Sequence, residues 1–475
     1  MNYTELIEAD LGKLGTAVAD WKRMSGEMQR LGGEARDGLK AKADKADWQG
    51  VNAGVTREFT GKTVKEFEDL HTEAKSIFSV LDDAHAELKS IQQQAKRLAD
   101  DARGDGFNVR TSKDGSSVIV EQLICTVKGP EQRERDLMRW YADTLTDVVA
   151  HAGEVDAAAV RALRASHGGD PTNPGHGSYT SLDGEMLPRA MKLAGLGEDA
   201  DDAQRKELRR LWQSLSPQSR AELWTQHRKD LLAAGLLAPS VKQVSADPGS
   251  GEYDSESPGV SDYWKQIEAN GISNTGDFIG KTDAARHMDH YLRGTGTTLD
   301  LDVDRMLGDD GKLREVTETS RASYQDEWRR QALDAFEKSG GKPVAIPIET
   351  SGQPYTHEDR NWYLAVGSGM SNSTGVVTAV PGPDGKPQVS IDYQVNVWDR
   401  YNWDPGKATP IGPTTVTDAD MARLHRTGLA QDFDMRGSGS VQHHDLDSGG
   451  GSWPDPQEPG RDGTRTDPGR NGDAR

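Results

Sequence analysis

The densest set of groups able to do chemistry is Val397-Trp-Asp-Arg-Tyr-Asn-Trp-Asp-Pro-Gly-Lys407. Asp399 and Asp404 with Lys407 are of the types that build an acid–base or cation-binding cluster at a strand end. Tyr401 stands between them, and His425 and Asp434 follow on the next segment. These five residues, Asp399, Tyr401, Asp404, Lys407 and His425, are the candidate catalytic set. A structural role competes with it: Trp398, Tyr401 and Trp403 would cover a sheet edge, while Asp399–Arg400 and Asp404–Lys407 would pair locally.

Other clusters carry less. His287 and His290 are three apart on a helical pattern without the glutamate of a zinc-protease motif, and are expected at the surface. Asp300-Leu-Asp302-Val-Asp304 starts like a calcium loop, but Arg305 stands where a Gly is needed and Gly311 where a bidentate Glu is needed. His443-His444-Asp445 lacks a second ligand set. No metal site is predicted, no cofactor is named by the sequence, and Walker, nucleophile-elbow and dinucleotide fingerprints are absent.

Several elements must position the C-terminal set. From Val389 to Val397 apolar and polar residues alternate with a period of two, the pattern of a half-buried strand. Pro383-Asp-Gly-Lys386 joins it to a strand over Thr374–Val380 as a hairpin. Pro343–Ile348 and Trp362–Val366 are also read as strands, and Thr417 with Asp420 as the capped start of a short helix. Upstream, helices are expected over about 283–293 and 318–338. Residues 238–262, rich in Pro, Gly, Ser and acids, are read as a linker, and everything past about Gly437 as disordered.

The N-terminal quarter carries the strongest periodicity. Phe67, Leu70, Ala74, Ile77, Leu81, Ala84, Leu88, Ile91, Ala95 and Leu98 alternate spacings of three and four without a Pro or Gly. Ile7, Leu11, Leu14, Val18, Trp21, Met24, Met28 and Leu31 form an earlier stripe. Neither helix is stable alone with one apolar face, so an antiparallel hairpin bent at Trp48-Gln49-Gly50 is predicted. A β-hairpin around Lys113-Asp-Gly115 follows. Helices come next from Pro130 to Val149, from Val160, and through Glu185–Leu237. The fold class is α+β and mostly α: a hairpin over 1–103, a β-hairpin and helical extension over 104–237, the linker, a mixed helical then β-rich domain over 263–437, and a tail over 438–475.

Two helices around a Trp-x-Gly bend within about a hundred residues resemble the WXG100/ESX family, substrates of type VII secretion. Trp48, Gln49 and Gly50 carry the resemblance, which covers the first quarter of the chain. It implies export in folded form by a non-Sec route to the medium or cell surface, with Trp48 and Gly50 as export and partner-binding residues. Pairing with a helical WXG-like partner or self-association, and contact with the secretion machinery, follow from the same resemblance. Longer relatives often carry a C-terminal effector. A Tyr-x-x-x-Asp/Glu signal often follows the second helix in that family. Residues 85–106 here contain no Tyr, and Tyr179-x-x-x-Asp183 and Tyr355-x-x-x-Asp359 fit the letters elsewhere. The segment Asp399, Tyr401, Asn402 and Trp403 loosely resembles the toxin domain of colicin M-like bacteriocins, which cleave the lipid-linked cell-wall precursor. Asn402 replaces that family's second aspartate and a downstream His-Arg pair is missing, so a general base is lost. A cytoplasmic coiled-coil scaffold is the remaining alternative.

Composition narrows the partners. The chain has 475 residues, 77 acidic against 57 basic and a formal charge of −20, so a general basic face for nucleic acid is not expected. The same charge argues against anionic lipid. The one Cys, Cys125, permits no intrachain disulfide or thiolate metal cage. The N-terminus lacks the apolar core of a Sec signal, and no run of 18 apolar residues offers a stable membrane insertion.

Overall fold

The computed structural model describes residues 1–123, 132–167, 179–244, 249–274, 280–403, 408–411 and 414–447. They fall into two compact units, Met1–Ile124 with Met138–Leu236, and Cys125–Leu137 with Leu237–Arg475. The chain is mostly helical, with a long helical N-terminal region and a C-terminal sheet.

In the first unit α1 (Tyr3–Glu8) and α2 (Leu11–Glu34) lead into a π-helical turn, Ala35–Lys40, and α3 (Ala41–Lys45). The chain bends over 46–50 and returns as α4, Val51–Gly104, a helix of 54 residues. Val18, Ser25, Gly32 and Ala35 on one arm and Val64, Ala74, Ile77, Val80, Ala84, Leu88, Ile91 and Ala95 on the other are buried. Small residues occupy the seam where the arms approach: a Cβ on Gly32 would sit 3.6 Å from that of Phe67. Met24 and Leu70, expected in the stripes, are exposed instead. Polar pins fix the register, with His71 Nδ1 2.9 Å from the Ser25 carbonyl and Gln92 donating to the carbonyls of Leu6 and Ala9.

The unit continues with β1 (Phe107–Thr111) and β2 (Val118–Gln122), paired as an antiparallel hairpin. One helix, α5 (Gln132–His167), spans the region read as two, and α6 (Asp183–Ala194), α7 (Asp202–Ser214) and α8 (Pro217–Ala233) complete the unit. Pro217 opens α8 at its first turn, where its missing N–H costs nothing.

The second unit contains α9 (Val260–Asn274), α10 (Thr282–Leu292), β3 (Leu299–Asp300), α11 (Val303–Asp309), α12 (Gly311–Lys338), β4 (Val344–Glu349), β5 (Gln353–Thr356), α13 (Arg360–Ala365), β6 (Ser368–Pro381) and β7 (Pro387–Tyr401). They are followed by β8 (Ala408–Ile411), β9 (Thr414–Thr417), α14 (Asp418–Arg426), β10 (Phe433–Ser438) and β11 (Gln442–Asp445). The seven-stranded sheet runs β3-β10-β7-β6-β4, with β11 on β7 and β5 on β6, and every pairing except β10 with β3 is antiparallel. Val389, Ile391, Tyr393, Val395 and Val397 point into the core with α10 and α12 residues such as Tyr291 and Trp328.

Three expectations are corrected here. Trp362–Val366 is not a strand: Asp359 accepts the N–H groups of Asn361 and Trp362 and caps α13. The described residues of the 238–262 stretch read as a linker belong to the second unit and are bonded to it. Glu349 accepts the N–H groups of Ser240 and Val241, each at 2.8 Å, and Asp432 accepts from Ser250. Order also persists past Gly437, because β11 pairs Gln442–Asp445 with Tyr393–Ser390; residues 448–475 lie outside the described residues.

Candidate functional site

The bend between α3 and α4 gives physical meaning to the Trp-x-Gly motif. Gly50 is the N-cap of α4 with φ 102° and ψ −178°, a backbone region essentially reserved for glycine. The last carbonyls of α3 lack helical partners, as at any helix end. Arg57, within the second turn of α4, donates to the carbonyls of Ala43 (3.2 Å), Ala46 (3.3 Å) and Trp48 (3.0 Å). One guanidinium thus ties the end of the first arm to the start of the second.

The side chains this elbow presents are large and apolar. Leu39, Trp48, Val51, Val55 and Phe59 are all exposed, from 43% at Trp48 to 83% at Val51. Val51, Val55 and Phe59 recur every four residues and share one face of α4. The buried seam lies elsewhere on the helix, at Ala53, Thr60 and Val64. Trp48, at the bend itself, is partly exposed beside this face.

Of the C-terminal set the structure describes Asp399, Tyr401 and His425, and each has partners of its own. Asp404 and Lys407 lie outside the described residues. Tyr401 is buried and stacks on Phe433, ring centroids 4.9 Å apart and 10° from parallel. Burial first, then the charges of Asp418 and Asp432, push its phenol far above the ordinary value, so it stays protonated. His425 is buried with both nitrogens engaged: Nε2–H donates to the Gly251 carbonyl at 3.1 Å, and Nδ1 accepts the Asp432 N–H at 3.0 Å. Burial lowers its pKa against the pull of Asp432. A histidine held this way locks two segments together and offers no free lone pair to a substrate.

Asp399 keeps different company. It sits on β7 opposite Met435 of β10, half-buried, and its charge acts on the phenol of Tyr355. Tyr355 lies over Gly369, where an added Cβ would meet its Oη at 3.3 Å. From Tyr355 a buried polar chain runs inward. Its hydroxyl is 3.1 Å from His357 Nε2, and His357 Nδ1 is 3.0 Å from Asp310. Asp310 also accepts the N–H groups of Leu313 (2.9 Å), Glu358 (2.8 Å) and Asp359 (3.0 Å). Burial raises the Asp310 pKa, but those backbone donors and His357 outweigh it and leave the carboxyl below its usual range. Burial lowers His357, against Asp310, and holds Tyr355 well above a usual phenol. The tautomer that satisfies every group is neutral: Tyr355 donates to Nε2 and Nδ1–H donates to Asp310.

This chain was not legible in sequence, because Asp310 lies 45 residues before Tyr355 and carries only the letter of a helix cap. It has the order of a relay, yet His357 and Asp310 have no exposed side-chain surface. Its chemistry is structural: it anchors the start of α12 to the β5–α13 turn.

A second mimic lies in the first unit, where His151 Nε2 is 2.5 Å from Ser214 Oγ and 3.4 Å from Glu87. Serine and carboxylate share one nitrogen, and Ser214 donates to the Arg210 carbonyl, so the polarity opposes nucleophile activation. His287, expected at the surface, is buried, with Nδ1 2.7 Å from the Ala365 carbonyl. In the calcium-like run Asp302 Oδ1 caps α11 and both carboxylate oxygens of Asp304 accept from Ser440. Among the described residues no group of three or more His, Cys, Asp or Glu is placed to hold a metal. Tyr355 is buried and cannot be presented as a signal; Tyr179 is half-buried and its backbone N–H is held by Ser76 Oγ. No helix among the described residues is long and apolar enough to cross a membrane. No family model, no curated protein and no solved structure matches the chain.

Proposed function

We propose that the N-terminal hairpin is a partner-pairing and export module of the WXG100 type, and that the chain is a type VII secretion substrate delivering its second unit as a surface-interaction or effector domain. One observation supports this most: the exposed apolar stripe at the elbow. A hairpin that only served itself would bury its apolar residues along the seam and leave a polar tip. Here Trp48, Val51, Val55 and Phe59 remain in water where a glycine-dependent bend displays them. Contiguous exposed apolar surface of this kind marks a binding site. The second unit enters as a recognition domain because Tyr401 and His425 are consumed by its packing.

The test is export from a host with a type VII apparatus and a co-expressed small helical partner. The intact chain is expected in the medium. Trp48→Ala and Phe59→Ser, both at exposed positions, are expected to retain it in cells with unchanged helical circular dichroism. Export of both variants at the wild-type level would overturn the reading.

A further inference from the structure

The sheet of the second unit has a polar face, opposite the one on which Val395 and Val397 enter the core. Glu349 of β4, Thr374 of β6 and Gln394 of β7 form one cross-strand row on it, each opposite the next in register. All three bond the same short segment of the same unit, residues 237–241. The Thr374 hydroxyl and Gln394 Nε2–H donate to the Leu237 carbonyl at 2.7 and 3.2 Å. Glu349 Oε1 accepts the N–H groups of Ser240 and Val241, and Oε2 accepts the Ser240 hydroxyl.

A second row braces the first. Asn372, Asn396 and Ser438 are in register across β6, β7 and β10, and the two asparagines are 2% and 0% exposed. Asn372 Nδ2 donates to Glu349 Oε1 at 3.1 Å and to the Thr350 carbonyl at 3.2 Å. Asn396 Nδ2 donates to Asn372 Oδ1 and to Thr374 Oγ1, each at 3.0 Å. Asn396 Oδ1 accepts from Gln394 at 2.9 Å and from Ser438 Oγ at 2.7 Å. The amide protons of both asparagines are thus committed within the sheet. The Thr374 hydroxyl proton, one Gln394 N–H and the Glu349 carboxylate are left to meet a main chain. Side chains locked in this way form a preorganised receptor for one carbonyl followed, three and four residues on, by two N–H groups.

The segment that fills this receptor is held mainly through its backbone. Residues 238–244 are neither helix nor strand. Ala238 and Ser240 are exposed, Pro239 and Val241 half-buried, and Leu237 is buried. A stretch with so few apolar contacts opens at lower cost than the strands beneath it.

We propose that residues 237–241 are an intramolecular latch on a peptide-binding site, and that Glu349, Thr374 and Gln394, once uncovered, take a segment of another polypeptide bearing an apolar residue and, three positions on, a Ser. The resident segment defines that occupant: its Leu carbonyl meets the two donors, and its Ser gives both N–H and hydroxyl to the carboxylate. The site rests on the reading of the second unit as a recognition domain and not on export. A tethered segment has an effective concentration of roughly millimolar, so a free peptide competes well only when the latch is weakened.

The probe is a fluorescent peptide, Leu-Leu-Ala-Pro-Ser-Val-Lys-Gln-Val, with the sequence of 236–244, titrated against the full chain by anisotropy. A second probe keeps its second Leu and its Ser and exchanges the other residues. Ser240→Asp, at an exposed position, sets a second carboxylate against Glu349 and is expected to raise the affinity for both probes about tenfold or more over wild type. Adding Glu349→Gln to that chain, or methylating the Ser and Val nitrogens of the probe, is expected to cost about tenfold or more. Hydrogen exchange of the wild-type chain, read by mass spectrometry, should show 238–244 opening ahead of β6 and β7. Exchange of 238–244 only together with those strands would make the segment a fixed part of the fold and overturn the proposal. Equal binding by Ser240→Asp and wild type, or by the methylated probe, would do the same. Binding of the first probe alone would mean that the row reads only its own chain, which overturns the docking of a partner. Phe59→Ser at the hairpin tip should leave every affinity unchanged, so this result and the export result fail independently.

Discussion

His287 makes the second unit acid-labile by an amount that can be worked out. Its side chain is 1% exposed, Nδ1 bonds the Ala365 carbonyl at 2.7 Å, and Nε2 has no hydrogen-bond partner among the described residues. Burial lowers its pKa from 6.5 to about 4; the bond to Ala365 opposes the shift, and the charges of Arg286 and His290 add to it. The folded value lies below the unfolded one, so the unfolded chain binds more protons as pH falls. The stabilisation is complete above the unfolded value and is lost between about pH 6.5 and 4. At 1.36 kcal/mol per unit, the full loss is about 3 kcal/mol, of which about 2 kcal/mol is gone by pH 5. His287→Asn keeps a donor for Ala365 and removes the titration. Pulse proteolysis in urea, reading fragments from 282–365 by mass spectrometry, follows this unit alone. From pH 8 to pH 5 the wild-type fragments are expected to lose about 2 kcal/mol more than those of His287→Asn. His151, also held at about 4 by burial and by Arg210 and Arg220, supplies an internal comparison, since its loss belongs to the first unit. An identical pH slope in His287→Asn and wild type would refute the reasoning.

Two glycine substitutions test the backbone arguments. Gly50→Ala forces a Cβ into φ 102° in open space, so its cost is purely conformational, and the first unit's calorimetric transition is expected to weaken by about 1–3 kcal/mol. An unchanged transition would mean the elbow can rearrange. In β6, Gly375→Ala would drive a Cβ into the Asp392 carbonyl and to 2.9 Å from Tyr393 Cα, so the second unit is expected to lose about 3 kcal/mol in urea while the first is unaffected.

The fold was most legible where one physical signal governed. The α4 heptads, the Asp-Gly hairpin of β1 and β2, the period-two run of β7 and the Thr417 cap of α14 each rest on local chemistry. Legibility failed where distant partners decided. Trp-Tyr-Leu-Ala-Val is too short to show a period, and one carboxylate, Asp359, turned it into a helix. The sequence reading ends one helix at Val149 and starts another at Val160, yet α5 runs through, and Gly153, in open space, is tolerated inside it. The Gln442–Asp445 segment lacks apolar content, but edge pairing with β7 asks only for its backbone groups. The candidate site suffered in the same way. Asp399 and Tyr401 were read at the end of the strand, whereas β7 runs on through Tyr401, and sequence could not show that the next layer would seal Tyr401 or that His425 would be bonded at both nitrogens.

What unites the two units is an inverted use of side chains. Catalysis needs titratable groups at a surface a substrate can reach, with one lone pair or proton left over. Here the polar constellations that imitate active sites, Asp310–His357–Tyr355, His425–Asp432 and His151–Ser214, are buried and mutually satisfied. The large apolar residues a core would use, Val51, Val55 and Phe59 at the elbow and Tyr263, Trp264 and Ile267 on α9, face water in helical register. Burying polar pairs costs desolvation, and exposing aliphatic and aromatic side chains forfeits their burial energy. A sequence that accepts both costs leaves apolar side chains in helical register at the surface, and these are the groups on which the proposed pairing with other helices rests.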